Sequence, residues 1–159
     1  MDELPEARLT AKATNLNSLV QLEKGEEIVA CFDEVKGDTL VFFTALGNAK
    51  RTEGKEFDLR TKKTAAIALK DDDRVIAVEK QDETAGTVIM VSKGGMSIRF
   101  ATDTVPVMGK GAGGVKCMKL DEGDRVIFAA QIADEGEILT ISDRGYAKRS
   151  LVFDYEIQG

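Results

Sequence analysis

The side chains available for chemistry are cations and carboxylates. The chain has no histidine, so imidazole acid–base or nucleophilic catalysis is excluded. Its two cysteines, Cys31 and Cys117, stand far apart in apolar runs and form no zinc cluster. Both read as buried free thiols, and the absence of an export signal argues against a disulfide. Carboxylates gather in short turns, Asp71-Asp72-Asp73 and Asp121-Glu122-Gly123-Asp124. Acids in turns are ordinarily solvated, and the ligand spacing of a calcium loop is missing. The cations are more telling. Lys50-Arg51, Arg99 and Lys148-Arg149 recur with arginine spacings of 48 and 50 residues. Cations returning at a fixed interval suit a phosphate backbone, whose charge they neutralise. Lys62, Lys63, Lys93, Lys110 and Arg144 lie around them and complete the candidate DNA-binding set.

The interval belongs to a repeat of the whole chain. A leucine, an acidic turn and an apolar run begin at Leu22, Leu69 and Leu120, spaced by 47 and 51 residues. An apolar run, a turn with glycine and a basic strand follow, at Phe43 to Arg51, Val91 to Arg99 and Ile141 to Arg149. Two separate signals with one period of about fifty residues point to a propeller, solenoid or array. The runs at 28–32, 39–44, 75–78, 87–91, 126–128 and 138–141 are β-rich and bounded by Gly and Asp clusters, as strands are. Gly47, Gly95 and Gly145 fall between an apolar and a basic strand, where a tight hairpin needs positive φ. The best helical candidate is the short stretch 4–12. The expected fold is all-β, with small antiparallel sheets repeated in a propeller-like array of about two full blades plus a partial one. It forms a single partial domain over 1–159, with repeats at approximately 22–68, 69–119 and 120–159, and with 1–21 ending a preceding blade. Propellers close with roughly 4–8 blades, so this is an open arc or part of a larger ring.

Charge follows the repeat. Residues 22–38 carry −4, 48–63 carry +3, 71–85 carry −4, 93–119 carry +4 and 121–137 carry −5. The net charge of −6 thus hides basic segments. The expectation is one basic stripe and one acidic stripe on the array.

Several segments resemble, in order, the DNA-wrapping C-terminal domain of the A subunit of bacterial type II topoisomerases. Leu4-Pro5-Glu6-Ala7, Leu19-Val20-Gln21-Leu22 and Ser97-Ile98-Arg99-Phe100 are similar to its motifs. So are Met108-Gly109-Lys110-Gly111-Ala112-Gly113-Gly114-Val115 and Gly145-Tyr146-Ala147-Lys148-Arg149. The resemblance implies a β-pinwheel, a disc whose blades exchange strands and whose basic rim wraps double-stranded DNA. It implies a non-catalytic region without cofactor; the parent enzyme's ATP and Mg²⁺ are bound elsewhere, and Tyr146 and Tyr155 are not cleavage residues. It also implies an A-subunit homodimer joined by B subunits as A2B2, in the bacterial cytoplasm at the nucleoid. DNA gyrase and topoisomerase IV both fit. Where the family has two arginines, this chain has Lys110 and Gly113, a weaker phosphate grip. The basic glycine-rich box associated with gyrase is not seen; Gln158-Gly159 is the nearest beginning of one.

The segment 109–114 is no P-loop, because no Gly-Lys-Ser/Thr closes it and no helix pattern follows. It reads as a flexible loop between blades. A protein-interaction propeller working through its acidic turns is the alternative from another class. No apolar run approaches a membrane span, and residues 1–6 have no signal-peptide pattern.

Overall fold

The computed structural model describes residues 6, 8–15, 17–20, 22–58, 63–70 and 72–158. Among the described residues ten strands lie in chain order: β1 Thr39–Thr44, β2 Asn48–Glu53, β3 Val75–Lys80, β4 Thr87–Ser92, β5 Ser97–Ala101, β6 Val115–Lys116, β7 Val126–Ile132, β8 Glu137–Ile141, β9 Ala147–Leu151 and β10 Ile157–Gln158. One helical turn, Asn17–Val20, precedes them. Residues 8–12 form neither helix nor strand; residues 4, 5 and 7 of the helical candidate lie outside the described residues.

Three hairpins carry the fold: β1–β2, β4–β5 and β8–β9, paired in equivalent registers. Val41 opposes Arg51, Ile89 opposes Arg99 and Leu139 opposes Arg149. At each hairpin turn the expected glycine takes positive φ, 80° at Gly47, 86° at Gly95 and 81° at Gly145. Other residues rarely adopt that backbone. Gly47 is constrained twice, since a Cβ there would lie 2.6 Å from the Met118 carbonyl oxygen.

A blade in space is not a repeat in sequence. The first sheet has the order β3-β1-β2-β6 and the second β10-β5-β4-β7. In each, the strand beside the first hairpin strand comes from the following repeat. The last strand returns from beyond the next hairpin. Such exchange makes each blade depend on its neighbour. The central strands β1 and β4 are apolar nearly throughout and buried along most of their length. Their side chains meet between the sheets: Val41, Phe43 and Ala49 pack with Val88, Met90, Phe100, Val126 and Ala129. Burying each large side chain of this set contributes about 1.5–3 kcal/mol.

The third hairpin differs. Among the described residues it has no flanking strand, and Leu139 and Ile141 are 62% and 65% exposed. The segment 28–32, expected as a strand, forms none among the described residues. It is in phase with β3 and β7, which pair with the first strand of the hairpin before them. A strand is held by its partner's edge, and among the described residues no hairpin precedes 28–32. Cys31, expected buried, is exposed for the same reason, while Cys117 is half-buried and its thiol pushed up by burial.

The acidic turns have a structural task. Asp73 accepts hydrogen bonds from the Leu46 and Arg74 N–H groups, each at 2.8–2.9 Å. Asp124 accepts from Gly94 N–H at 3.0 Å and Arg125 N–H at 2.8 Å. Each latches the incoming strand to the preceding hairpin turn. The nearby Ser92 hydroxyl, then the backbone N–H groups of Arg125 and Gly94 and the Arg125 charge, hold the Asp124 carboxyl below its ordinary value of 3.8. A depressed carboxyl stabilises the fold above its unfolded pKa, and that stability is lost as pH falls through the folded value. Asp124→Asn is therefore expected to lower the melting temperature at pH 7. The gap to the parent chain begins to narrow below about pH 4, where the unfolded-state carboxyl starts to protonate, and closes only as pH falls through the lower folded value. Melting followed by circular dichroism from pH 2 to 7 checks this; a gap that persists at pH 2 assigns the loss to something other than the charge.

Candidate nucleic-acid interface

The recurring cations divide by position. Lys50 is fully buried, and its Nζ donates to the carbonyls of Gly109 at 3.1 Å and Lys110 at 3.0 Å. It lies 5.3 Å from the centre of the Phe42 ring. Burial pushes its ammonium below the ordinary 10.5, with Glu56 opposing. The glycine-rich segment 109–114 is thereby pinned to the first blade, and it presents carbonyls to a cation. A phosphate cradle presents N–H groups instead. Gly113 and Gly114 have a packing reason, since a Cβ there would lie 2.8 Å from the Ala68 carbonyl oxygen and 2.6 Å from that of Ala49.

Arg51 and Arg99 are clasps between blades. Arg51 Nε donates to Val105 O at 2.6 Å, Nη1 to Gln81 Oε1 and Nη2 to Asp103 O, both at 3.2 Å. Arg99 is 4% exposed. Its Nη1 donates to Val152 O and Tyr155 O, both at 3.3 Å, its Nε to Thr87 Oγ1 at 3.0 Å and its Nη2 to Asp134 Oδ1 at 2.6 Å. Val105 and Tyr155 are equivalent positions, following the 3₁₀ turns Thr102–Thr104 and Val152–Asp154. Each arginine therefore holds the turn that follows the next hairpin. Expected as phosphate contacts, Lys50, Arg51 and Arg99 have their donors committed inside the protein, and Lys50 and Arg99 offer no surface charge.

The remaining candidates are spread out. Lys110 is half-buried and donates to Glu56 O at 3.4 Å. Lys63 is exposed beside Glu23 and Glu26, and Arg149 is exposed beside Glu137 at 3.2 Å. Lys62 lies outside the described residues. Lys93, Arg144 and Lys148 are exposed, and their side chains have no partner among the described residues. Lys93 and Arg144 occupy the turns of the second and third hairpins, and Lys148 opposes Thr140 near the third turn. The first turn bears Lys116, whose Nζ donates to Leu46 O at 2.8 Å, and exposed Lys119 follows Met118, whose N–H donates to Gly47 O. Lys119 was not marked by the sequence pattern, because only its contact with a distant turn places it at this edge.

The two ends of the hairpins thus differ. At the end opposite the turns, cations are paired: Lys36 with Asp58, Lys55 with Glu53, Lys80 with Asp33 and Asp38, and Arg99 with Asp134. Among the described residues, Lys93, Lys119, Arg144 and Lys148 stand unpaired at the turn edge, where Arg125 is paired with Asp72. Separate acidic and basic stripes, expected from charge phasing, do not form, because Asp73 and Asp124 sit at the turn edge too. Their carboxylates are occupied by backbone N–H groups.

Comparison with known proteins places this architecture. The sequence matches the family described as DNA gyrase C-terminal domain, beta-propeller, over residues 38–82, 86–133 and 136–159. The chain belongs to that family. It is 37% identical over 159 residues to the DNA gyrase A protein of Escherichia coli (strain K12), with 96% of this chain aligned to 18% of that protein. It therefore spans about a fifth of the length of such relatives. The fold superposes on the C-terminal domain of DNA topoisomerase IV with a TM-score of 0.90 at 25% identity, covering 99% of this chain and 50% of that one. For the DNA gyrase A C-terminal domain the values are 0.78 and 28%, covering 94% and 50%. Among the described residues no helix is long and apolar enough to cross a membrane.

Proposed function

We propose that this chain is a non-catalytic duplex-DNA-binding and DNA-bending region of a bacterial type II topoisomerase, the A subunit of DNA gyrase. The observation that carries the reading is the row of exposed, unpaired cations at successive hairpin turns, Lys119, Lys93, Arg144 and Lys148, on a fold of this family. Each would contact phosphate, which positions DNA without reading its sequence. A curved array touching DNA at several turns favours bent duplex. The parent's ATP and Mg²⁺ chemistry, its A2B2 assembly and its cytoplasmic, nucleoid-associated location extend the same proposal and lie outside these residues. A second reading, the A subunit of topoisomerase IV, is favoured by the higher TM-score of that domain.

The test is a titration of duplex DNA across salt. With about three to four phosphate contacts, log affinity should fall against log salt with a slope of about −3. Duplexes of unrelated sequence should compete equally. Absence of binding at low salt removes the proposal for these 159 residues.

A further inference from the structure

One arginine stands between the first and second hairpin turns without adding to their charge. Arg125 immediately precedes β7, and its carbonyl accepts the Lys93 N–H at 2.8 Å, so it lies beside a cation of the turn edge. Its Nη2 donates to Asp72 Oδ2 at 2.8 Å and its Nη1 to the Asp124 carbonyl at 3.0 Å. Asp72 belongs to the other turn. Its neighbour Asp73 accepts from Leu46 N–H at 2.8 Å and from Asn48 Nδ2 at 3.2 Å. The ion pair therefore spans the gap between the two turns, from the side of Lys116 and Lys119 to that of Lys93. A duplex that touches both turns passes over it.

The fold does not need this pair. The repeat places Arg74 at the position of Arg125 and Gly25 at that of Asp72. Arg74 makes the same backbone contacts: its carbonyl accepts the Ala45 N–H at 2.8 Å, and its N–H donates to Asp73 at 2.9 Å. Its side chain is exposed and has no partner among the described residues. The first turn thus has its strand latch with no acid facing the arginine. The Asp72 side chain is 68% exposed and that of Arg125 38%. An ion pair so open to water contributes little to stability, so its main effect falls on charged groups that approach it.

We propose that Asp72 limits the grip of this region on duplex DNA by withholding Arg125 from phosphate. The inference rests on the DNA reading above. While the pair holds, the step from the first turn to the second is electrically neutral, and Arg125 releases no counterion from the duplex. A phosphate that displaced Asp72 would leave that carboxylate facing its own negative charge, so the exchange gains nothing net. Arg125 is a contact held in reserve, and loss of the Asp72 charge releases it.

The experiment is a salt titration of duplex DNA with four chains: the parent, Asp72→Asn, Arg125→Gln and the two changes combined. Asp72→Asn is expected to steepen the log–log slope by about 0.9, the share of one added phosphate contact, and to tighten binding about three- to tenfold at low salt. Arg125→Gln should leave the parent's slope unchanged, since the cation it removes is already neutralised. In the combined variant the steepening should disappear, because it acts through Arg125. Both positions are at the surface, and thermal melting should show all four chains folded. A steepening that persists beside Arg125→Gln reports only a lowered surface charge and overturns the proposal. So does an unchanged slope in Asp72→Asn, or a slope reduced by about 0.9 in Arg125→Gln alone. A parent that binds while Asp72→Asn changes nothing overturns this inference alone. If none of the four chains binds, the DNA reading falls and the inference with it.

Discussion

Replacing Arg99 with methionine is expected to cost about 2–4 kcal/mol of stability, because a buried charged donor set is lost and its acceptors stay buried. The side chain is 4% exposed and serves four acceptors, Thr87 Oγ1, Val152 O, Tyr155 O and Asp134 Oδ1. Methionine keeps most of the apolar stem, so the loss reports the polar contacts. Asp134 is 76% exposed on its side chain and can return to water, so the cost stays below that of a fully buried ion pair. The orphaned carbonyls of Val152 and Tyr155 carry most of the penalty. For a domain of this size the melting temperature should fall by about 4–16 °C. Arg149→Met, at the equivalent register position but exposed beside Glu137, should cost no more than about 1 kcal/mol. Urea unfolding of both variants checks the pair. Equal effects would mean that Arg99 is no clasp. Because Arg99 ties the turn after the third hairpin to the second blade, its loss should also let that hairpin unfold first, seen as early proteolysis within 137–158.

That contrast explains what the sequence made legible. The strands at 39–44, 75–78, 87–91, 126–128 and 138–141 follow from local apolar runs and turn glycines; the first appears as expected, three others are one or two residues longer, and 126–128 runs on to Ile132. The segment 28–32 has the same composition but pairs with no strand among the described residues, because strand formation depends on an edge elsewhere in the fold. Phase among the cations was readable, but its meaning was not. A repeat keeps in register the residues that touch an external ligand, and equally those that join one unit to the next. Arg51 and Arg99 recur because the blade-to-blade contact recurs. Asp73 and Asp124 recur because each latch does. Direction separates the two kinds, and direction depends on which neighbour fills the space beside each strand. Lys119 shows the converse, a cation outside the recurring Lys-Arg positions that reaches the turn edge through the contact of Met118 with Gly47.

Reversing the charge at the turn edge, with Lys93→Glu, Arg144→Glu and Lys148→Glu together, is expected to lower affinity for duplex DNA by about 10²–10³ at low salt, since contacts are lost and repulsion is added. The log–log salt slope should shrink toward zero, as each phosphate contact contributes about 0.9 to it. These side chains have no partner among the described residues, so the fold should tolerate the change. Surface substitutions of this kind usually stay within about 0.5 kcal/mol. Lys50→Met supplies the opposing control. Lys50 is buried and bonded to Gly109 and Lys110 carbonyls, so it displaces no counterion, and the salt slope should be unchanged. A smaller slope in Lys50→Met, with an unaltered slope in the triple variant, would place the DNA on another face. Circular dichroism at the binding temperature establishes that both variants are folded, so that a changed slope reports phosphate contacts and not unfolding. The turn-edge reading therefore stands on a difference between two sets of cations that the sequence pattern alone treats as one.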